Sequence, residues 1–174
     1  MVCVKVPAKL GRAEEKNFKK AFFLFDFFDN LIFFIFGYIK TNAMLKIGHL
    51  KSGDIVSIND EGIIREGTVV SVSPEENQAL VNNGIQEFWY SPEEMEAVPL
   101  DEGQLLKLGF TKEETDGSVK YKKDSFRLVT PKKGDFSNIE MWWREDRRHF
   151  SFPLGVHELQ NLHLDMTKVH LDKL

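Results

Sequence analysis

The chain has 174 residues, 42% of them hydrophobic, which is enough apolar content for a packed core and argues against a disordered protein. Cys3 is the only cysteine, so an internal disulfide and a cysteine zinc cluster are excluded, and the composition fits a cytoplasmic protein. The net charge of −4 is unevenly spread, because residues 44–100 hold 3 Lys and Arg against 10 Asp and Glu, an excess that repels nucleic acid.

The Phe-rich residues 1–43 allow three interpretations, which the sequence leaves open. Residues 21–39 are long enough for a membrane span, but Asp26 and Asp29 offset the free energy gained by inserting the phenylalanines. The same residues, after a basic start, fit the apolar part of a signal peptide. Their richness in Phe, Ile, Lys and Asn is also typical of translated AT-rich DNA, in which case Met44 is the true start. A membrane is therefore an expected partner only if residues 21–39 are genuine.

Residues 44–100 predict a small SH3-like β-barrel. Short runs of β-branched and apolar residues alternate with turn residues, and about five strands fit into this length. Four clusters mark the turns: Ser52-Gly53-Asp54, Asn59-Asp60-Glu61-Gly62, Ser73-Pro74-Glu75-Glu76-Asn77 and Asn82-Asn83-Gly84. Strands this short cannot bury a face alone, so we expect them to curl into a barrel.

The aromatic run Phe88-Trp89-Tyr90 is a candidate binding feature of this acidic barrel. Because side chains alternate along a strand, Phe88 and Tyr90 point to one face and Trp89 to the other. The run is either a core pair with one aromatic at the rim or an aromatic groove for a peptide, and Trp89 is the candidate partner contact. Nucleic-acid binding by the barrel is disfavoured, because it carries only 3 Lys and Arg.

Residues 101–174 predict an α+β module. Asp101 as N-cap and Gly109 as C-terminal break delimit a short helix. Four antiparallel strands follow, namely VKYKK, FRLVT and a hairpin within residues 139–152 that turns at REDRR. From Val156, apolar residues recur at helical spacing, which predicts a C-terminal helix across the sheet. The predicted fold class is therefore α+β: a small SH3-like barrel, a helix, a four-stranded antiparallel sheet and a C-terminal helix.

The C-terminal helix supplies most of the candidate partner-binding residues. A projection at about 100° per residue places the core stripe on Leu159, Leu162 and Met166. The opposite face carries His157, Gln160, Asn161 and Leu164. A leucine surrounded by hydrogen-bonding side chains is typical of a surface that binds a protein partner or a second copy of the chain.

A second candidate surface lies on the predicted sheet. Residues 120–148 hold 9 basic and 5 acidic residues with aromatic residues among them. Trp142 and Trp143 alternate on one strand, so we expect Trp143 in the core and Trp142 partly exposed as a candidate contact. Such a face either binds single-stranded nucleic acid or shields exposed strands with solvated lysines.

No catalytic constellation is visible in the sequence. His157 and His163 lie on different sides of the helix and cannot share a metal ion. His149 has no serine or cysteine near it in sequence, and the glycines are scattered singly rather than grouped in a phosphate loop. We therefore expect no catalytic residues, no metal and no cofactor. The predicted function is a non-enzymatic protein-binding or adaptor module, and the alternative is a nucleic-acid-binding accessory protein that uses residues 120–148.

Two runs, VPLDEGQLLKLGF and VHELQNLHLDMT, resemble a family of small uncharacterised proteins encoded by phages and mobile elements of gut bacteria. The family pattern is Pro-Leu, then Leu-Leu-x-x-Gly-Phe and, farther along the chain, Val-His-(Glu/Gln)-Leu-Gln-Asn-Leu. The resemblance covers roughly Val98–Thr167 and departs at His163–Met166, where the family has an aromatic pair. It implies a phage or mobile-element origin and carries no activity.

Overall fold

A computed structural model of the chain describes residues 45–60, 62–115 and 117–173. The interpretations of residues 1–43, including membrane insertion of residues 21–39, lie outside this part. Among the described residues, neither α-helix has the length and apolar character that crossing a membrane requires.

The first sheet has five antiparallel strands in the order β4-β3-β2-β1-β5. They are β1 (Ile55–Asp60), β2 (Ile63–Ser73), β3 (Gln78–Asn82), β4 (Glu87–Tyr90) and β5 (Met95–Ala97). The predicted turn residues connect them: Gly62, Asn77 and Gly84 have φ angles of 87°, 53° and 87°, which glycine and asparagine tolerate best. The prediction of about five short strands in this segment agrees with the structure.

The prediction that these strands form an SH3-like barrel is wrong, because the described sheet is open. Its edges are β4 and β5, which do not pair with each other. These strands have only 4 and 3 residues, and a 3-10 turn at Pro92–Glu94 lies between them. Pro92 has no N–H for a sheet ladder, so strand pairing stops there instead of closing the sheet.

The second sheet is a five-stranded antiparallel meander in the order β10-β9-β8-β7-β6. Its strands are β6 (Thr111–Thr115), β7 (Ser118–Lys123), β8 (Phe126–Thr130), β9 (Ile139–Trp143) and β10 (Asp146–Phe150). The prediction of four strands is wrong, since the sheet has five. Strand β6 was not predicted because its sequence, TKEET, is polar and lacks apolar alternation. Backbone pairing joins it to β7, and cross-strand ion pairs such as Lys122–Glu113, at 2.6 Å, add to that pairing.

Two short α-helices complete the described fold. Helix α1 spans Glu102–Lys107, and the Asp101 carboxylate caps it as predicted by accepting the Gln104 N–H at 2.7 Å. Helix α2 spans Val156–Thr167 and begins where Glu158 accepts the Gly155 N–H at 2.7 Å. With ten strands and two short helices in the described residues, the fold is mostly β, and the α+β assignment is wrong.

Strand β1 contributes to two hydrophobic cores. Val56 and Ile58 point into the core of the first sheet, while Ile55 points the other way. Ile55 joins the second core, which the buried face of the second sheet forms with α1 and α2. Helix α2 therefore lies against the second sheet on one side and against β1 on another, and this position determines which of its residues can reach a partner.

Candidate functional site

Gln160, predicted to face a partner, is fully buried between α2 and the first sheet. Its Oε1 accepts the backbone N–H of Ile55 at 2.8 Å. Its Nε2 donates to the carbonyl oxygens of Gly53 at 3.0 Å and Leu171 at 2.8 Å. These three bonds satisfy backbone groups of Gly53, of β1 and of the C-terminal segment, so Gln160 is a structural joint between them.

Asn161 extends this joint to Asp54. The Asn161 side-chain amide donates to the Asp54 carboxylate at 2.8 Å and to the carbonyl oxygen of His49 at 3.1 Å. Asp54 is fully buried, and burial raises its pKa, although hydrogen bonds from the Lys51 N–H and from Asn161 act in the opposite direction. One carboxylate oxygen of Asp54 and the side-chain oxygen of Asn161 are buried without a hydrogen-bond partner within the described residues.

The remaining helix candidates differ in burial. His157 is buried, and burial lowers its pKa, so the ring is neutral at pH 7. Leu164 is half-buried. The predicted exposed face is therefore wrong at His157 and Gln160, which are buried, whereas Asn161 and Leu164 are half-buried and remain predicted partner contacts. The projection assumed one packing partner, whereas α2 packs against two, and polar side chains satisfy the second contact.

Trp142 and Trp143 lie on opposite faces of β9. Trp143 is half-buried and packs against the second core, with the Arg144 guanidinium 5.4 Å from its ring centroid. Trp142 is also half-buried, with the Arg147 guanidinium 4.6 Å from its ring centroid. Its indole N–H donates to Glu140 at 3.3 Å. Trp142 is thus partly exposed as predicted, while Trp143 is at the margin of the core rather than inside it.

Trp89 lies on β4, at the free edge of the first sheet, and 46% of it is exposed. Phe88, which precedes it, is 44% exposed although it points to the same face as the buried Tyr90. The rings of Phe88 and Tyr90 meet edge to face, with centroids 6.5 Å apart. Within the described residues β4 pairs only with β3, so its outer edge carries backbone groups with no strand beside them.

Three exposed isoleucines lie at two hairpin tips of the first sheet and were not predicted from the sequence. Ile85 precedes β4, and Ile63 and Ile64 begin β2. A hydrogen bond of 3.3 Å from Asn83 to Asp60 joins the two hairpin tips that carry them. We call the exposed set the apolar rim: Ile63, Ile64, Ile85, Phe88 and Trp89. Their position beside predicted turn residues was visible in the sequence, since Ile63 follows Gly62 and Ile85 follows Gly84.

The surroundings of the apolar rim are acidic. Glu87 begins β4, and Glu93 follows it in the 3-10 turn; both are exposed. Tyr90 pairs with Ala79 of β3. The turn that precedes β3 holds the exposed Glu75 and Glu76. The free edge therefore has carboxylates near both ends.

Two of the three basic residues within residues 45–100 are paired with carboxylates. Lys51 pairs with Asp165 of α2 at 3.3 Å, away from β4. The guanidinium of Arg65 approaches Asp60 at 3.9 Å. The negative electrostatic potential that the carboxylates produce near the apolar rim favours a cationic partner.

Among residues 45–60, 62–115 and 117–173, no three His, Cys, Asp or Glu side chains are grouped so that they could hold a metal ion. The chain matches no protein-family model, and comparison with curated proteins and with solved structures finds no match.

Proposed function

We propose that this protein is a non-enzymatic protein-binding module that pairs an extended, basic and apolar segment of a partner protein with the free edge of β4. The observation that carries the proposal is that this edge strand exposes Phe88 and Trp89 on its two faces. In strand addition, main-chain hydrogen bonds supply affinity, and side chains on alternate faces supply specificity.

The other edges in the described sheets differ from β4. Strand β10 exposes charged side chains, β6 has the charged sequence TKEET, and β5 has only 3 residues. Charges and short length are the usual protection against unwanted strand pairing. Strand β4 is also short, with 4 residues, but it exposes two aromatic side chains between Glu87 and the 3-10 turn, which supports its use as a binding edge.

The exposed area of Phe88 and Trp89 indicates whether these two side chains alone could bind a partner. Fully covered Phe and Trp side chains bury about 150–250 Å² each, and roughly half of that is still exposed here. Covering both therefore contributes about 4–6 kcal/mol at about 25 cal/mol per Å². Association itself loses about 4–15 kcal/mol of translational and rotational freedom. The aromatic pair alone does not hold a partner, so strand hydrogen bonds and the neighbouring isoleucines must contribute.

The test is fluorescence anisotropy of the full chain with labelled peptides in which apolar residues alternate with lysine. Peptides with glutamate in place of lysine are the charge control. We expect the lysine peptides to bind, the glutamate peptides to bind much more weakly, and Trp89→Ser to weaken binding at least tenfold, as for a central interface aromatic. Leu106→Ser is the matched control, because Leu106 is equally exposed at 47% but lies on α1.

Three results would contradict the proposal. One is equal binding of the lysine and glutamate peptides, and another is equal binding by Trp89→Ser and the native chain. The third is self-association of the full chain that Trp89→Ser abolishes, with no peptide binding, because a second copy would then occupy the edge.

Origin and compartment are further proposals, made on sequence grounds. The resemblance of Val98–Thr167 to small phage and mobile-element proteins supports a mobile-element origin, in which a binding module would act as an adaptor. The single cysteine, Cys3, supports a cytoplasmic setting.

A further inference from the structure

The solvent-facing side of the second sheet carries one continuous row of cationic and aromatic residues. The strand register pairs Lys122 with Arg127, Arg127 with Trp142, and Trp142 with Arg147. The neighbouring row is Tyr121, Leu128 and Met141, which are fully buried on the other face. The row Lys122, Arg127, Trp142 and Arg147, here called the cationic row, therefore crosses four adjacent strands on the face that points away from the core.

Two cations of this row face each other across adjacent strands. Lys122 and Arg127 lie directly opposite each other on β7 and β8, and like charges in that position destabilise a sheet. Arg127 is exposed and forms no salt bridge within the described part of the chain. Lys120 adds a further cation on the same face, in the next row. An anionic occupant would relieve this repulsion.

The acids on this face only partly balance the cations. Glu113 pairs with Lys122 at 2.6 Å, and Glu140 pairs with Arg147 at 2.8 Å. Hydrogen bonds from Lys122 and Arg147 hold the pKa values of Glu113 and Glu140, respectively, below their usual range, so both are ionised at pH 7. Since these two acids face the cationic row and Lys120, the face keeps a positive excess.

Trp142 and Arg147 form a stacked pair on β9 and β10, at one edge of the sheet. The guanidinium lies over the indole ring, and the Arg147 side chain is 60% exposed. Nucleobases stack both on aromatic rings and on the planes of arginine guanidinium groups. A carboxylate-rich peptide would use the cations but has no need of a flat stacking surface.

We propose that this face binds single-stranded nucleic acid, with Lys122 and Arg127 contacting phosphates and the Trp142–Arg147 pair stacking on a base. The site is independent of the β4 edge, since it lies on the other sheet and attracts the opposite charge. Together the two faces would let one chain join a nucleic acid to a protein.

The experiment is fluorescence anisotropy of the full chain with a labelled oligothymidylate over a range of salt concentrations. Each phosphate contact contributes about −0.7 to the slope of log K against log salt for a single strand. We expect Arg127→Gln to make that slope less negative by about 0.7. Lys132→Gln is the charge-matched control, because Lys132 is exposed in the β8–β9 loop, away from the cationic row.

Variants of the tryptophan separate stacking from charge. Trp142→Ala should weaken binding about 5- to 150-fold while leaving the salt slope unchanged, because stacking releases no counterions. Trp142→Phe keeps an aromatic face and should recover much of that loss, which also guards against misfolding of the alanine variant. The proposal is overturned if the native chain does not bind the oligonucleotide at low salt, or if Arg127→Gln changes the slope no more than Lys132→Gln. It also fails if polyglutamate competes with the oligonucleotide and Trp142→Ala has no effect.

Discussion

The side-chain carbonyl of Gln160 accepts the backbone N–H of Ile55 at 2.8 Å, although the two residues are 105 positions apart. This bond ties α2 to the first strand of the first sheet. The side-chain amide of Gln160 is fully used as well, on the carbonyl oxygens of Gly53 and Leu171. A buried amide with all its groups paired specifies one arrangement of helix and sheet, since any other leaves polar groups unsatisfied.

Gln160→Leu should lower the free energy of unfolding by at least about 2 kcal/mol. The leucine keeps the volume but leaves the Ile55 N–H and two carbonyl oxygens buried without partners, at about 1–3 kcal/mol for each unsatisfied group. Urea denaturation measures the loss. Gln86→Leu in the exposed β3–β4 turn is the control and should change little. A loss no larger than that of the control would mean that α2 does not need this joint.

Gly67→Ala should destabilise the first sheet by about 1–3 kcal/mol, because it overpacks a full core. A Cβ at Gly67 would lie 2.5 Å from a methyl carbon of Val81 and 3.1 Å from the carbonyl oxygen of Asn82. Val81 is fully buried and cannot move aside. Gly48→Ala is the matched control, since a Cβ there meets nothing within 4 Å. The measurement is the melting temperature. An equal decrease for both variants would contradict the packing of β2 on β3.

Asp54→Asn should raise the free energy of unfolding at pH 7. Burial raises the pKa of Asp54 above its ordinary value of 3.8, so the folded state binds the proton more tightly than the unfolded state. Stability from this group is therefore present below pH 3.8 and is lost as pH rises through the raised pKa. An asparagine removes the buried charge and keeps an acceptor for the Lys51 N–H.

The measurement for Asp54 is the difference in unfolding free energy between variant and native chain across pH. We expect the difference to grow in favour of the variant as pH rises from 3.8 to the folded pKa, and then to level off. A variant that is less stable than the native chain at pH 7 would show that the carboxylate is needed in its charged form.

Glu66 should give the opposite pH dependence. Desolvation raises its pKa, but hydrogen bonds from Lys173, at 2.7 Å, and from Gln104 outweigh it and bring the pKa to about 2. The unfolded state, with a pKa near 4.5, binds the proton more tightly, so stability is present above pH 4.5 and is lost as pH falls toward 2. Acid titration of native and Glu66→Gln chains should show a smaller loss in the variant, whereas Glu76→Gln in the β2–β3 turn should behave like the native chain.

Local chemistry predicted the parts of the fold that depend on near neighbours. Turn residues located the connections of the first sheet, and Asp101 located the start of α1, because a cap or a turn is decided within a few residues. Closure of the first sheet could not be predicted in the same way. It depends on whether two edges distant in sequence meet, and here the short β4 and β5 do not.

The candidate sites were predictable to a lesser degree. Alternation along a strand correctly predicted that Trp142 is partly exposed and placed Trp89 on the face opposite Tyr90. It did not predict the exposure of Phe88, which shares a face with the buried Tyr90. The helix residues failed because periodicity detects apolar packing only, whereas Gln160 and Asn161 are covered through hydrogen bonds to a second element. Strand β6 was missed for the same reason, since its side chains contact β7 through ion pairs rather than apolar packing, while the backbone pairing leaves no sequence pattern.

The central claim, strand addition at β4, is tested most directly by N-methylation of a bound lysine-containing peptide, one amide at a time, with affinity measured on the full chain. A peptide strand that pairs with an edge directs alternate N–H groups toward it, so methylation should abolish binding at every second position and be tolerated at the positions between. Equal tolerance at all positions would show that the peptide is held by its side chains alone, and strand addition at β4 would be wrong.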